Sequence, residues 1–278
     1  MSGKLYLVGT PIGNLGDMSP RAVEALQNAD FIAAEDTRVT LKLLNHFDIR
    51  KPLTSYYEHN KFASGEKIFT RILSGETCAL VTDAGMPAIS DPGEDIVRLC
   101  AENGVEVYTV PGPSALISAL ALSALPTGRF TFEGFLSVSS KSRREHLAQL
   151  KTEQRTMIFY EAPHKLQKTL SDLAEAFGGD RPIALCRELT KMHEETLRTT
   201  ISGAIEHFSA TAPKGEFVLV VGGYAPADEP ETSPEDAMAL VANFRGEGYS
   251  LREACKMASA ETGFSKNELY DMALRENK

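Results

Sequence analysis

The chain has 278 residues, 42% hydrophobic and 24% charged, with a formal net charge of −9. This is ordinary globular usage, long enough for two domains and a small third one, so a core needs neither disulfides nor a structural metal. The acidic balance argues against polyanion binding over the whole surface. The longest apolar-rich stretch, Ser114 to Pro126, is interrupted by three serines and is too short to span a bilayer, so it reads as a buried helix.

From the start, Met1 to Tyr6 runs straight into a strand-like apolar run, with no signal peptide, and a cytoplasmic protein without membrane association is expected. Leu5–Val8 reads as a first strand, followed by a helix that Ser19 caps and Pro20 opens. Phe31–Ala34, Cys78–Thr82 and Val105–Val110 read as further strands separated by helical or loop sequence, the alternation that builds a parallel sheet covered on both faces. Pro111-Gly112-Pro113 breaks the chain sharply and is the candidate hinge. A second set follows: Phe130–Phe135, Thr156–Tyr160, Ile183–Arg187, Thr196–Ile201 and Phe217–Val221, with helices between several of them. The region Glu194–Ile201 alternates Thr, Leu, Thr and Ile against charged residues, which predicts an antiparallel, half-exposed strand in a mixed sheet.

Ala225 to Glu235 is rich in proline and acid and reads as an extended, solvated linker. Three helix starts follow, at Ser233-Pro234 and at the capping boxes Ser250–Glu253 and Ser265–Glu268. With the Thr262-Gly263-Phe264 turn they resemble a helix-turn-helix, a shape shared by plain three-helix bundles. The expected division is 1–112, 113–224 and 233–278.

The four cysteines, Cys78, Cys100, Cys186 and Cys255, stand singly with no C-x-x-C pair and read as reduced, buried thiols. No two histidines stand four apart, and no metal is expected. Between Leu125 and Leu170, eight Lys/Arg face four acids, a local excess of +4 that fits either a focused RNA site or a solvated helix face.

Three loops carry the chemistry. Gly9-Thr-Pro-Ile-Gly-Asn-Leu-Gly-Asp17 follows the first strand, where glycines let the backbone approach a ligand or another segment closely. It has neither Walker A nor dinucleotide-fingerprint spacing, although Glu35 and Asp36 fall where a ribose-binding acid would. Asp83-Ala-Gly-Met-Pro-Ala-Ile-Ser-Asp-Pro-Gly93 follows a later strand at the usual ligand edge of an α/β sheet, and Asp83 is a candidate acceptor for a ribose or amino group; in a plain loop, Asp91 would cap a helix. Pro111-Gly-Pro-Ser-Ala115 turns into the apolar helix. There Ser114 either caps the helix or faces a ligand together with the free N–H groups.

In this order and spacing, the loops resemble the tetrapyrrole methylase superfamily of S-adenosylmethionine (AdoMet) methyltransferases. Glu35-Asp-Thr-Arg38, Phe159-Tyr-Glu-Ala-Pro-His164 and Cys186-Arg-Glu-Leu-Thr-Lys191 extend the likeness to the ribosomal RNA small-subunit methyltransferase I family, from about Lys4 to Gly223. The resemblance implies two α/β domains of the tetrapyrrole methylase type (class III AdoMet methyltransferases), followed by a C-terminal helical, helix-turn-helix-like domain. It implies AdoMet in the cleft between the α/β domains, a homodimer, and methylation of the ribose 2′-hydroxyl of a decoding-centre (P-site) cytidine of 16S rRNA in the 30S ribosomal subunit. Carried over by motif, cofactor contacts fall on Pro11, Asp83, Gly85, Ile89, Ser114, Ala115, Tyr160 and Leu189.

Methyl transfer from a sulfonium needs an aligned nucleophile and a proton acceptor. Asp36 and Glu188 are the candidate bases. Arg38, Arg187 and Lys191, with Lys141, Arg143 and Arg144 of the basic region and Arg252, Lys256 and Lys266 of the helical module, are candidate RNA contacts. Asp36, Glu188, Arg38, Arg187 and Lys191 each have the alternative of an inter-domain ion pair. Methylation of the cytosine ring carbon is disfavoured because no Pro-Cys occurs, and exocyclic-amine methylation because no Asn/Asp-Pro-Pro-aromatic loop occurs. Two rivals are a precorrin-type methyltransferase of the same fold and a nucleotide-sensing, DNA-binding regulator.

Overall fold

The computed structural model of the chain describes residues 2–225 and 233–276. It divides into two compact units, Met1–Tyr224 and Ala225–Lys278. Residues 226–232 of the expected linker lie outside the described residues.

The first half of the larger unit alternates strand and helix: β1 (Leu5–Val8), α1 (Pro20–Asn28), β2 (Phe31–Ala34), α2 (Thr37–His46), β3 (Leu53–Ser55), α3 (Lys61–Leu73), β4 (Cys78–Val81), α4 (Glu94–Glu102), β5 (Val107–Val110) and α5 (Ala115–Leu122). The strands form one sheet in the order β3-β2-β4-β1-β5, parallel throughout. Leu26 of α1 and Leu44 of α2 bury against one face; Ile68 and Ile72 of α3 with Ile96 of α4 bury against the other. Both faces are therefore covered, which is why β2 and β4 are buried along their whole length. The three-residue β3 was not expected from sequence, and β5 begins two residues later than the predicted run.

From β1 the chain crosses over β4 to reach β2, and from β4 it crosses over β1 to reach β5. The connections of two neighbouring strands thus leave in opposite directions. That is a topological switch point, where an open α/β sheet leaves a crevice beyond its strand ends. The loops 9–17 and 82–93 border it.

The second half holds β6 (Phe130–Phe135), α6 (Ser140–Gln149), β7 (Thr156–Glu161), α7 (Leu166–Phe177), β8 (Pro182–Arg187), β9 (Glu195–Thr200), α8 (Ile201–Ala210) and β10 (Phe217–Val221). Its sheet runs β6-β7-β10-β8-β9, with only β6 and β7 parallel. The alternating segment is the antiparallel edge strand β9, shifted by one residue from the predicted span, because Thr200 caps α8 and Ile201 opens it. Helices α7 and α8 cover one face. The other face is covered by α5, whose Leu116, Ala119 and Leu120 pack on Ile158, Ala184, Cys186, Val218 and Val220. The helix that leaves the first sheet thus belongs to the core of the second. Where the chain makes this turn, Gly9 and Gly112 touch through their backbones: a Cβ on Gly9 would lie 2.6 Å from the Gly112 Cα. Neither position tolerates a side chain.

The smaller unit contains α9 (Pro234–Gly246), α10 (Leu251–Thr262) and α11 (Lys266–Glu276) around Ala237, Val241, Ala254, Cys255, Ala258 and Leu269. Its caps form as the sequence predicts. Ser233 accepts from the Asp236 N–H, and Ser250–Glu253 and Ser265–Glu268 are reciprocal capping boxes. Gly263 ends α10 in the left-handed conformation at φ 75°. Among the described residues, no helix is long and apolar enough to cross a membrane.

Candidate active site

A cleft of about 510 Å3 opens at the switch point, walled by the loops after β1 and β4 on one side and by α5, β7, β8 and β10 on the other. Its size is in the range of small-molecule and cofactor sites. The 9–17 and 82–93 loops are tied by an antiparallel bridge, Thr10 N–H to the Gly85 carbonyl at 2.9 Å and the reverse bond at 3.1 Å. The buried Thr10 hydroxyl donates to the Thr82 carbonyl at 3.1 Å. Gly85 makes this bridge at φ +89°, where only glycine is unstrained.

Of the eight residues expected at the cofactor, Gly85, Ile89, Ser114, Ala115, Tyr160 and Leu189 line the cleft. Pro11 and Asp83 do not stand on its wall. Asp83 is turned towards the backbone N–H of Asp36, whose bond its Oδ1 accepts at 3.1 Å. Ser114 occupies the N-cap position of α5 without making a side-chain cap bond, so its hydroxyl stays available in the cleft beside the helix's first N–H groups. Burial raises the Tyr160 pKa. The Tyr160 ring is set by edge-on contacts with Phe132 at 5.0 Å and Phe135 at 5.6 Å.

The backbone is strained on both walls. Ala88 and Ser90 on one side, and Glu188 and Thr190 on the other, hold left-handed φ between 51° and 68°. Non-glycine residues in that region cost free energy and cluster at ligand sites. Gly93 and Gly215 make room for these turns: a side chain on Gly93 would meet Ala88, and one on Gly215 would collide with the Glu188 carboxylate.

The structure sorts the expected bases and RNA contacts. Asp36 caps α2 and holds Arg38 through its own carboxylate, with Arg38 Nη2 at 2.6 Å. The Arg38 side chain and backbone N–H keep the Asp36 carboxyl well below the usual carboxylate range, so it is a poor proton acceptor. Glu188 lines the cleft but accepts from Lys191 Nζ at 3.0 Å. Arg187 is paired with Glu195 at 2.5 Å. Lys141 is exposed and reaches Glu145 at 3.9 Å, and Arg144 is exposed with no ion pair among the described residues.

Arg143 is a correction. It is 7% exposed, and its guanidinium donates to Asp172 at 2.5 Å and to the Thr169 hydroxyl at 2.6 Å. Thr169 in turn donates to Glu161. This is an internal network that supports the cleft wall, and Arg143 is not available to RNA. In the smaller unit, Arg252 and Lys256 are exposed one turn apart on α10, and Lys266 opens α11.

Several cleft residues were not singled out from the sequence as site residues: Ile12, Met86, Phe135, Glu161 and Glu216. Asp91 belongs with them, since the sequence offered it only as a helix cap. It caps nothing, because Gly93 occupies the N-cap of α4. Burial, reinforced by Glu35 and Asp83 and partly offset by the neighbouring Thr82 hydroxyl, pushes the Asp91 carboxyl up to about 6. Its signal in the sequence was the density of Gly, Pro and Asp in one loop. Among the described residues, no group of three or more His, Cys, Asp or Glu is placed to hold a metal.

Comparison with known proteins agrees with this geometry. Residues 4–205 match the family of tetrapyrrole (corrin/porphyrin) methylases, and residues 231–278 match the RsmI C-terminal HTH domain. The chain is 47% identical over 272 residues to the ribosomal RNA small subunit methyltransferase I of Synechocystis sp., covering 98% of both chains. To the protein of the same name from Bacillus subtilis it is 46% identical, covering 97% of this chain and 93% of that one. A uroporphyrin-III C-methyltransferase from Thermus thermophilus shares the fold of the larger unit, with a TM-score of 0.56 at 19% identity over 79% of this chain and 94% of that one. The loops, the cleft and these matches together place the chain in the ribosomal RNA small subunit methyltransferase I family of AdoMet-dependent tetrapyrrole methylases.

Proposed function

We propose that this protein transfers a methyl group from AdoMet to the ribose 2′-hydroxyl of a decoding-centre (P-site) cytidine of 16S rRNA, acting on the small ribosomal subunit in the cytoplasm as a homodimer. The observation that carries the reading is a nucleoside-sized cleft at the switch point in a chain whose whole length, helical module included, is similar to rRNA methyltransferases.

The cleft fits AdoMet chemically. The free N–H groups and uncapped Ser114 hydroxyl at the start of α5 suit a carboxylate or ribose oxygen. Leu189, Ile89 and the Tyr160 ring offer apolar surface for a purine. Gly85 lets a ligand lie against the backbone. When bound, the cofactor supplies an electrophilic methyl group. The protein's part is to hold the nucleophile in line, exclude water and receive the proton. The domain boundary falls at 112/113, where the Gly9–Gly112 contact fixes the turn between the two sheets. Lys191 at the cleft, Arg187 beside it, Arg38 in the first turn of α2, and Lys141 and Arg144 on α6 are the residues we assign to rRNA phosphates. Arg38, Arg187 and Lys191 exchange their present carboxylate partners for phosphate when RNA arrives.

The test is transfer of labelled methyl from AdoMet to small ribosomal subunits that lack the modification, followed by alkaline hydrolysis. A 2′-O-methyl group blocks cleavage at its own nucleotide, so the label must appear in one alkali-stable dinucleotide that begins with cytidine. Label on a base, or transfer to a tetrapyrrole in place of RNA, rejects the reading.

A further inference from the structure

Three aromatic residues line the cleft: Phe135, Tyr160 and Phe217. Phe217 is buried in the core and Tyr160 is half-buried, whereas Phe135 is 59% exposed. A lone exposed ring is ordinary on a protein surface. This one is aimed by an irregularity of the backbone. In a regular strand, residues three apart point to opposite faces, yet Phe132 and Phe135 both meet the Tyr160 ring edge-on. The register explains it. Phe132 pairs with Ile158 and Gly134 with Phe159, so β6 takes two steps where β7 takes one. Glu133 is the extra residue, and it is tied to His146 of α6 at 2.8 Å. Gly134 turns at φ +63° in open space, so the backbone angle and not crowding calls for glycine. Bulges of this kind re-aim side chains beside active sites. Here the bulge carries Phe135 to the cleft face and returns Leu136 to the core on the opposite face.

Phe135 stands on the edge strand β6, one strand from Tyr160 and three strands, roughly 14 Å, from β8, which leads to Leu189. The apolar surface assigned above to the purine of AdoMet runs from Tyr160 towards Leu189, and it leaves the β6 end of the wall open. Helix α6 begins five residues after Phe135 and carries the exposed cations Lys141 and Arg144.

We propose that Phe135 is the stacking platform for the base of the target nucleotide, holding an unpaired pyrimidine beside the cofactor; the assignment rests on the rRNA-methylating reading above. A ribose within a stacked strand is held away from the cleft, so its nucleotide must leave the stack to be methylated. The π-face of an exposed ring replaces the stacking that is lost. Stacking reads no sequence, since every base has such a face, and the ring's part is to fix where the ribose lies. An open aromatic face followed by cations suits a nucleic-acid strand better than a second copy of this chain.

The test uses Phe135→Ala, Phe135→Leu, Phe135→Tyr and Phe135→Trp in the full-length chain. All four bind AdoMet within about threefold of wild type by calorimetry, which also shows that they fold, and keep its oligomeric state by light scattering. Phe135→Ala lowers kcat/KM for small subunits that lack the modification by roughly 5- to 100-fold, the range of one lost base–aromatic stack. Phe135→Leu keeps an apolar side chain without a π-face and loses nearly as much. Phe135→Tyr and Phe135→Trp recover most of the rate. A packing role gives a different order, with leucine close to wild type and tryptophan the worst. The second readout needs no turnover. The chain contains no tryptophan, so Phe135→Trp carries a single indole. Single-stranded oligocytidylate quenches its emission saturably with AdoMet present, and leaves Phe130→Trp, at the far end of the same strand, unquenched.

A Phe135→Leu enzyme with wild-type kcat/KM overturns the assignment, as does an indole at position 135 that oligocytidylate does not quench, or quenches no more than the one at 130. Loss of AdoMet binding in Phe135→Ala overturns it in favour of a cofactor-binding role, and a changed oligomeric state in favour of a contact between copies. Failure of the wild-type enzyme to label a ribose rejects the underlying reading, and is told apart because it appears before any variant is made.

Discussion

Arg143 and Arg144 are neighbours in sequence with opposite fates, and exchanging each for alanine separates fold from recognition. Arg143→Ala leaves Asp172 without its buried guanidinium partner and Thr169 without a donor, in a site where the Arg143 and Asp172 side chains are 8% and 19% exposed. Removing one member of a buried, hydrogen-bonded ion pair costs about 3–5 kcal/mol, most of it the penalty of the charge left behind. Lys168, 3.1 Å from the other Asp172 oxygen, remains and moderates the loss towards the lower end. For a unit of this size, each kcal/mol lowers the melting temperature by roughly 2–4 °C, so a fall of roughly 6–20 °C is expected. Arg144→Ala, on the exposed side of α6, changes stability by no more than about 0.5 kcal/mol. It weakens binding to small ribosomal subunits, more so at low salt, because a lost phosphate contact also removes released counterions. Differential scanning calorimetry and urea unfolding of both variants, with subunit binding at several salt concentrations, make the comparison. If Arg143→Ala melts within 2 °C of wild type, the network it anchors does not hold the wall in solution, and the argument from burial fails.

Gly85→Val abolishes AdoMet binding, and Gly85→Ala weakens it by more than tenfold, because φ +89° strains any side chain and the Cβ enters a wall of the cleft; wild-type affinity in calorimetry would remove Gly85 from the site. Deleting residues 233–278 leaves AdoMet affinity within about twofold, since the larger unit holds the whole cleft, but lowers methylation of small subunits. Arg252→Ala/Lys256→Ala/Lys266→Ala lowers it too and flattens its salt dependence; loss of AdoMet binding or of dimers on truncation would make the module structural. The four cysteines are buried, and burial pushes Cys78 up to about 12 and Cys100 up to about 11. At pH 8 a thiol reagent therefore labels the native protein only at the rate of opening, and four thiols per chain appear at once in denaturant; a fast native-state thiol contradicts the burial.

The sequence by itself determined the elements and their order. Alternating apolar runs, the serine caps at 19, 233, 250 and 265 and the glycine-rich loops are local signals, and local physics realises them. It missed β3, because Leu53-Thr54-Ser55 is a half-buried, three-residue edge strand that needs no long apolar run. It set β5 two residues too early, because Val105 is buried in the turn before the strand and its apolarity serves the core there. Only the tertiary structure decided which charges are free to act. Arg143 and Arg144 look alike in a polar helix until α7 supplies, 29 residues away, the carboxylate that Arg143 meets. Asp36 and Asp91 are both acids in polar loops. One folds onto the arginine two residues along the chain, while the other is brought beside Glu35 by the pairing of β2 with β4 and is partly closed from water. Basicity, charge and access depend on partners and burial, and those are set by contacts between distant segments that only the folded chain brings together.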